Sequence, residues 1–143
     1  MRIKDIMTPK PFTIGPDKPV LEALLKMYEH DVRRLPVIEK GRLVGIISDR
    51  DIKQTMGRPS LINRKGEDEP ELELTVREVM TQNLITVRQD EDLKEAVQLM
   101  VENKVSGLPV IDRNGKLVGI LSAIDVLRYC LDLLDQTPQP GRK

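Results

Sequence analysis

Two serine–aspartate pairs carry the residues in this chain best suited to binding chemistry. Ser48 precedes Asp51 by three residues, and Ser122 precedes Asp125 by the same three. Each pair follows a short apolar run, Leu43-Val44-Gly45-Ile46-Ile47 or Leu117-Val118-Gly119-Ile120-Leu121, and opens a segment of helical character. Both pairs therefore sit where a buried strand hands over to a helix. At such a junction Ser-x-x-Asp is a helix cap: the serine accepts from an orphan N–H, and the acid sits favourably in the first turn. The same groups also suit a nucleotide site. Free N–H groups and the positive helix end attract phosphate, and a nearby aspartate takes the hydroxyls of a ribose. The two readings are compatible, since one serine can cap a helix and face a phosphate.

The elements that present these pairs are written twice. Ile3-Lys4-Asp5-Ile6-Met7-Thr8 matches Val76-Arg77-Glu78-Val79-Met80-Thr81 in character at every position, at an offset of 73 residues. The offset holds from Ala23 to Ala96, from Met27 to Met100, and from Leu35-Pro36-Val37-Ile38 to Leu108-Pro109-Val110-Ile111. It becomes 74 after a turn that gains one residue, Asp112-Arg113-Asn114-Gly115 against Glu39-Lys40-Gly41, and Asn-Gly is a preferred tight-turn pair.

Within each copy, Phe12-Thr13-Ile14 or Leu84-Ile85-Thr86-Val87 reads as a short strand. Val20, Ala23, Leu24, Met27 and Tyr28 recur at helical spacing, as do Leu93, Ala96, Val97, Met100 and Val101. The following strand contains a proline, which belongs at a strand start or edge. A hairpin then leads into the apolar strand and the closing helix. The expected fold is α/β (α+β): two β-α-β-β-α repeats over 1–56 and 76–134, packed about a pseudo-two-fold axis with two equivalent clefts. One unit of about 55 residues alone would bury little apolar surface. Residues 57–75, with Gly, Pro and charge, read as a flexible linker for which a partner-binding role stays open, and 135–143 as a disordered tail. The closing helix carries more apolar residues (Val126, Leu127, Cys130, Leu131, Leu134) than a short helix needs, which points to a subunit contact.

Composition removes other classes. Lys plus Arg and Asp plus Glu balance at 23 each, so no net field draws in nucleic acid or an anionic membrane. Aromatic residues make up 2% of the 143-residue chain, too few for base-stacking platforms. Cys130 is the only cysteine and reads as a small core residue; His30, the only histidine, reads as a surface or capping residue at a helix end. No Ser/His/Asp or Cys/His set, metal cluster or Walker-type glycine loop is present, so the chain reads as no enzyme and as needing no obligatory cofactor. Neither a signal peptide nor a bilayer-length apolar run is seen, which leads us to expect a soluble cytoplasmic protein with no membrane partner.

The ordered pattern Ile-Met-Thr, Thr-Ile/Val, Glu-Ala, Leu-Pro-Val-Ile and Leu-Val-Gly-Ile-x-Ser-x-x-Asp, met twice, resembles the cystathionine β-synthase (CBS) domain. Two in tandem resemble a Bateman module of the stand-alone type. The resemblance covers residues 3–56 and 76–134 and leaves nothing over for a catalytic domain. It implies a regulatory, non-catalytic sensor that binds AMP, ADP, ATP or S-adenosylmethionine in clefts between the repeats. It also implies a homodimer and a regulated protein partner. It gives Ser48 and Ser122 the phosphate, and Asp51 and Asp125 the ribose. Ala23 and Ala96 match the small residue beside the nucleotide, and Val32 and Val105 match positions lining the adenine pocket. The two residues after each valine often contact phosphate in the family. Here they are Arg33 and Arg34 in the first copy, and Ser106 and Gly107 in the second. Guanidinium groups bind phosphate bidentately and stay charged, so the cleft that Arg33 and Arg34 reach should favour anionic nucleotides. The plainer alternative is a solvated surface pair, and sequence alone leaves open which aspartate shares their cleft. The alternative for the whole chain is a scaffold or dimerisation module with empty or vestigial clefts.

Overall fold

The elements follow in the order β1 (Thr8–Pro9), α1 (Val20–His30), β2 (Arg34–Glu39), β3 (Arg42–Ser48), α2 (Asp49–Met56), α3 (Val76–Val79), β4 (Val87–Arg88), α4 (Leu93–Asn103), β5 (Gly107–Ile111), β6 (Leu117–Ser122) and α5 (Ala123–Gln136). A 3-10 turn, Ile3–Asp5, precedes them. The computed structural model describes residues 1–56 and 74–136. The linker expected over 57–75 lies outside the described residues except for Leu74 and Thr75. So does the tail from 137 onward, while α5 runs on through Asp135 and Gln136.

The chain divides into two compact units, and neither is a single sequence repeat. One joins Met1–Pro11 to Ile85–Lys143; the other is Phe12–Leu84. Each unit thus takes β-α-β-β-α from one repeat and the opening segment of the other.

In the first unit the sheet order is β1-β6-β5-β4, with β4 parallel to β5 and the other pairs antiparallel. The hairpin between β5 and β6 turns at the expected Asn-Gly. Gly115 takes φ +82°, and the Asp112 carboxylate accepts from the N–H groups of Asn114 (2.8 Å) and Lys116 (2.9 Å). Those two backbone donors, led by Lys116, hold the Asp112 carboxyl below its ordinary range. Pro109 departs from expectation, lying inside β5, which has neighbours on both sides. It sits one residue before Val110, where β4 begins to pair, so no ladder bond is asked of it there. Asp92 caps α4 by accepting from Lys94 N–H at 3.2 Å, and Lys104 ends it in the left-handed region. Leu93, Ala96 and Met100 face inward onto Ile3, Val87, Leu108, Val110 and Leu121.

The second unit repeats this plan with fewer ladder bonds. β2 and β3 form a hairpin whose turn residues Lys40 (φ +50°) and Gly41 (φ +80°) are both left-handed, the geometry that matches strand twist. Single bridges, Ile14 to Val37 and Thr81 to Ile46, take the places that β4 and β1 hold in the first unit. The strands expected at Phe12-Thr13-Ile14 and Leu84-Ile85-Thr86-Val87 therefore shrink to one bridge and to Val87–Arg88. Thr75 and Glu78 form a capping box that starts α3. Ile14, Val20, Ala23, Met27, Leu35, Val37, Ile47, Ile52, Val76 and Met80 make the core.

Both repeat methionines, Met27 and Met100, are buried as expected. Three residues are not where the sequence put them. Tyr28 is 88% exposed, Val101 is exposed, and Cys130 lies on the surface rather than in the core. His30 stacks on Phe12, with ring centroids 3.8 Å apart.

Candidate functional site

Each Ser-x-x-Asp forms a reciprocal cap. In the second unit Ser48 N–H donates to Asp51 Oδ2 (3.0 Å) while Asp51 N–H donates to Ser48 Oγ (3.0 Å). In the first unit Ser122 N–H donates to Asp125 Oδ2 (2.9 Å) and Asp125 N–H to Ser122 Oγ (3.2 Å). The last strand residue is thereby locked to the first turn of α2 or α5. The cap reading is what the geometry shows, and it leaves Oδ1 of each aspartate outside the cap.

Strand register decides which residues accompany each cap. Arg34 pairs with Ser48 across β2 and β3, Asp49 N–H donates to the Arg33 carbonyl (3.0 Å), and the Arg33 guanidinium lies 3.8 Å from the Asp49 carboxylate. Arg33 and Arg34 thus belong to the same unit as Ser48 and Asp51. Arg33 is exposed, so its pair with Asp49 holds it only loosely. In the first unit Gly107 pairs with Ser122, and Ala123 N–H donates to the Ser106 carbonyl (2.9 Å). Ser106 and Ser122 are brought together there with no arginine at the matching positions.

The valines lead into these strands. Val32 N–H bonds the Met27 carbonyl (3.0 Å) and Val105 N–H the Met100 carbonyl (3.1 Å), closing α1 and α4 after a left-handed residue in each. Both valines are half-buried against their cores. Ala23 and Ala96 are fully buried within those cores.

One residue that sequence reasoning gave no role joins the first-unit group. Thr8 Oγ1 donates to Asp125 Oδ1 at 3.0 Å, across almost the whole chain, because β1 pairs Thr8 with Ile120 next to the cap. The available signal was the repeated Ile-Met-Thr, whose threonine had no structural duty in the sequence. The two acids consequently differ. Asp125 is 7% exposed and has the Arg128 guanidinium 4.0 Å from Oδ1, whereas Asp51 is half-buried.

Among the described residues no group of His, Cys, Asp and Glu is arranged to hold a metal ion, and no helix is long and apolar enough to cross a membrane.

A duplicated β-α-β-β-α unit with a serine–aspartate cap at each closing helix defines a class of tandem-repeat modules. The chain belongs to the CBS domain family, whose model matches residues 3–57 and again 76–132. MJ1225 of Methanocaldococcus jannaschii, an uncharacterized protein, is 35% identical over 136 residues; the match takes in 87% of this chain but 47% of that protein, so the chain spans about half its length. The CBS domain pair of MJ0100, solved with 5′-methylthioadenosine and S-adenosyl-L-methionine, has a TM-score of 0.80 at 28% identity, covering 93% of this chain and 98% of that one. CBSX2, solved with AMP, has a TM-score of 0.78 at 33% identity, again covering 93% and 98%.

Proposed function

We propose that this chain is a regulatory module that binds adenosyl compounds (AMP, ADP, ATP or S-adenosylmethionine) at its Ser-x-x-Asp junctions without turning them over. The observation that carries the reading is the end of the β2–β3 hairpin, where two arginines and a capped aspartate meet on one strand end. Arg33 and Arg34 supply fixed positive charge for a phosphate, and the free oxygen of Asp51 supplies an acceptor for ribose hydroxyls. The bound adenosyl compounds of MJ0100 and CBSX2 support the same ligand class. Binding acts by differential affinity for two states of the chain, which alters its association with a protein partner or with itself.

The test is a thermal and calorimetric titration of the whole chain with AMP, ATP, adenosine and S-adenosylmethionine. At a hundredfold excess over Kd a true ligand stabilises by about 2.7 kcal/mol. Arg33→Ala is expected to weaken AMP about fivefold, the worth of one partly exposed charge pair, and to leave adenosine unchanged. If no adenosyl compound moves the melting point at millimolar concentration, the scaffold reading replaces the sensor.

Self-association has its own supporting observation. On α5, Ile124, Leu127, Leu131 and Leu134 are 54%, 60%, 58% and 54% exposed. Their spacing of three, four and three reads the same in both directions. Two copies of α5 laid antiparallel therefore match Ile124 with Leu134 of the partner subunit, and Leu127 with Leu131 of the partner subunit. Exposed Cys130 then flanks the two-fold axis. Leu127→Asp with Leu131→Asp is expected to turn a dimer into a monomer in sedimentation, and mild oxidation to cross-link the wild type through Cys130. A monomeric wild type at micromolar concentration would remove the homodimer.

A further inference from the structure

The same aspartate–serine cap leaves its second carboxylate oxygen unbonded in one unit, and in the other a threonine hydroxyl donates to it. Asp125 has both carboxylate oxygens engaged: Oδ2 by Ser122 N–H (2.9 Å) and Oδ1 by the Thr8 hydroxyl (3.0 Å). It is also 7% exposed, so water reaches it poorly. Thr81 occupies the matching place in the other unit and is held by backbone bonds to Ile46 in both directions (3.1 and 2.8 Å). Among the described residues, however, no hydroxyl donates to the Asp51 carboxylate, whose only hydrogen bond comes from Ser48 N–H.

We infer that Thr8 is an internal competitor for ribose: its hydroxyl holds the Asp125 half-site closed, so that an adenosyl ligand fills the Asp51 half-site first. This rests on the adenosyl-binding reading above. A secondary alcohol of ribose and the threonine hydroxyl are the same kind of donor, and both seek the free oxygen of a capped carboxylate. At Asp51 the ligand's hydroxyls meet an unclaimed oxygen. At Asp125 they must displace Thr8 or share its acceptor beside the Arg128 guanidinium. Thr8 itself is exposed, so its displaced hydroxyl is rehydrated. What the ligand forfeits is the net worth of one hydrogen bond to a charged acceptor, about tenfold in affinity. The latch lies in β1, the opening segment that pairs with β6, so movement of that segment sets whether the second half-site is available. Occupancy of the two half-sites would then report two different concentration ranges of one ligand.

Adenosine is the probe, because it lacks phosphate and so leaves the arginines out of the comparison. Calorimetry on the whole chain should resolve a tighter and a weaker class of site. Asp51→Asn should remove the tighter one. In that background Thr8→Val should strengthen the remaining site about tenfold, and Thr8→Ala should do the same if valine disturbs the fold. Thr81→Val should leave both classes as they were. Weaker or unchanged binding at the Asp125 half-site in both Thr8 variants would overturn the inference, since Thr8 would then be orienting Asp125 or idle. Absence of adenosine binding in every form, wild type included, would instead strike the adenosyl-binding reading itself and take the inference with it.

Discussion

Replacing Asp51 with asparagine is expected to cost the tighter site about a hundredfold in affinity for adenosine and AMP alike, with the fold intact. The size follows from two ribose hydroxyls donating to one charged acceptor, roughly 1.5 kcal/mol each at the low end of such bonds. Asparagine is the informative choice because it preserves the cap. Its amide oxygen can still accept from Ser48 N–H, and Ser48 Oγ still accepts the backbone N–H at position 51. Its amide nitrogen, a donor, then takes the place of the free oxygen and meets the hydroxyls donor to donor. Loss of the charge from the first turn of α2 should destabilise by only about 0.3–1 kcal/mol. Arg33→Ala makes the contrast, since it should separate AMP from adenosine while Asp51→Asn does not. Unchanged adenosine affinity in the Asp51→Asn protein would show that the acid is a cap and nothing more.

The repeat was legible because its copies share an order of motifs and not merely a composition. Both hairpin turns, both buried methionines and both caps lie where the residues placed them. The exchange of opening segments was not legible. Ile3–Thr8 and Val76–Thr81 are alike enough to suit either groove, so similarity between copies cannot say which copy each segment joins. That exchange is what carries Thr8 to Asp125, and it explains why a threonine visible in the motif had no assignable partner.

The sequence was ambiguous about helix faces for a related reason. α1 carries two apolar stripes, Val20-Ala23-Met27 and Leu21-Leu25-Tyr28, and periodicity alone does not tell which one packs. The stripe with the small alanine is the one that turns inward, where the helix lies close to its hairpin. Cys130 was misplaced because α5 is apolar around more of its circumference than its own unit covers. In contrast, the placement of Arg34 opposite Ser48 needed only a hairpin register, which the turn length fixes.

The exchanged segments also make the largest stability prediction. Gly119→Ala and Gly45→Ala are each expected to destabilise their unit by about 2–3 kcal/mol, the upper part of the span for overpacking a filled site. A Cβ at Gly119 would lie 2.6 Å from Met7 Sδ and 2.9 Å from the Thr8 carbonyl oxygen; at Gly45 it would lie 2.6 Å from Met80 Sδ and 3.0 Å from the Thr81 carbonyl oxygen. A methionine side chain can swing aside. The carbonyl cannot do so cheaply, because the Thr81 carbonyl accepts from Ile46 N–H (3.1 Å) and Thr8 pairs with Ile120 in β1. The bridge itself must therefore give way. Gly41→Ala supplies the control: φ is +80° there and nothing lies within 4 Å, so only backbone strain remains, about 1 kcal/mol. Urea unfolding of the three variants should rank them in that order, with the two strand glycines well below the turn glycine. Gly119→Ala has a second consequence, because the clash falls on Thr8. Pushing that residue off β6 loosens its hydroxyl from Asp125, so this variant should bind adenosine at the Asp125 half-site more tightly even as it melts earlier. A Gly119→Ala protein as stable as wild type would mean that the opening segment does not pack on β6 at all, and the latch would lose its hinge.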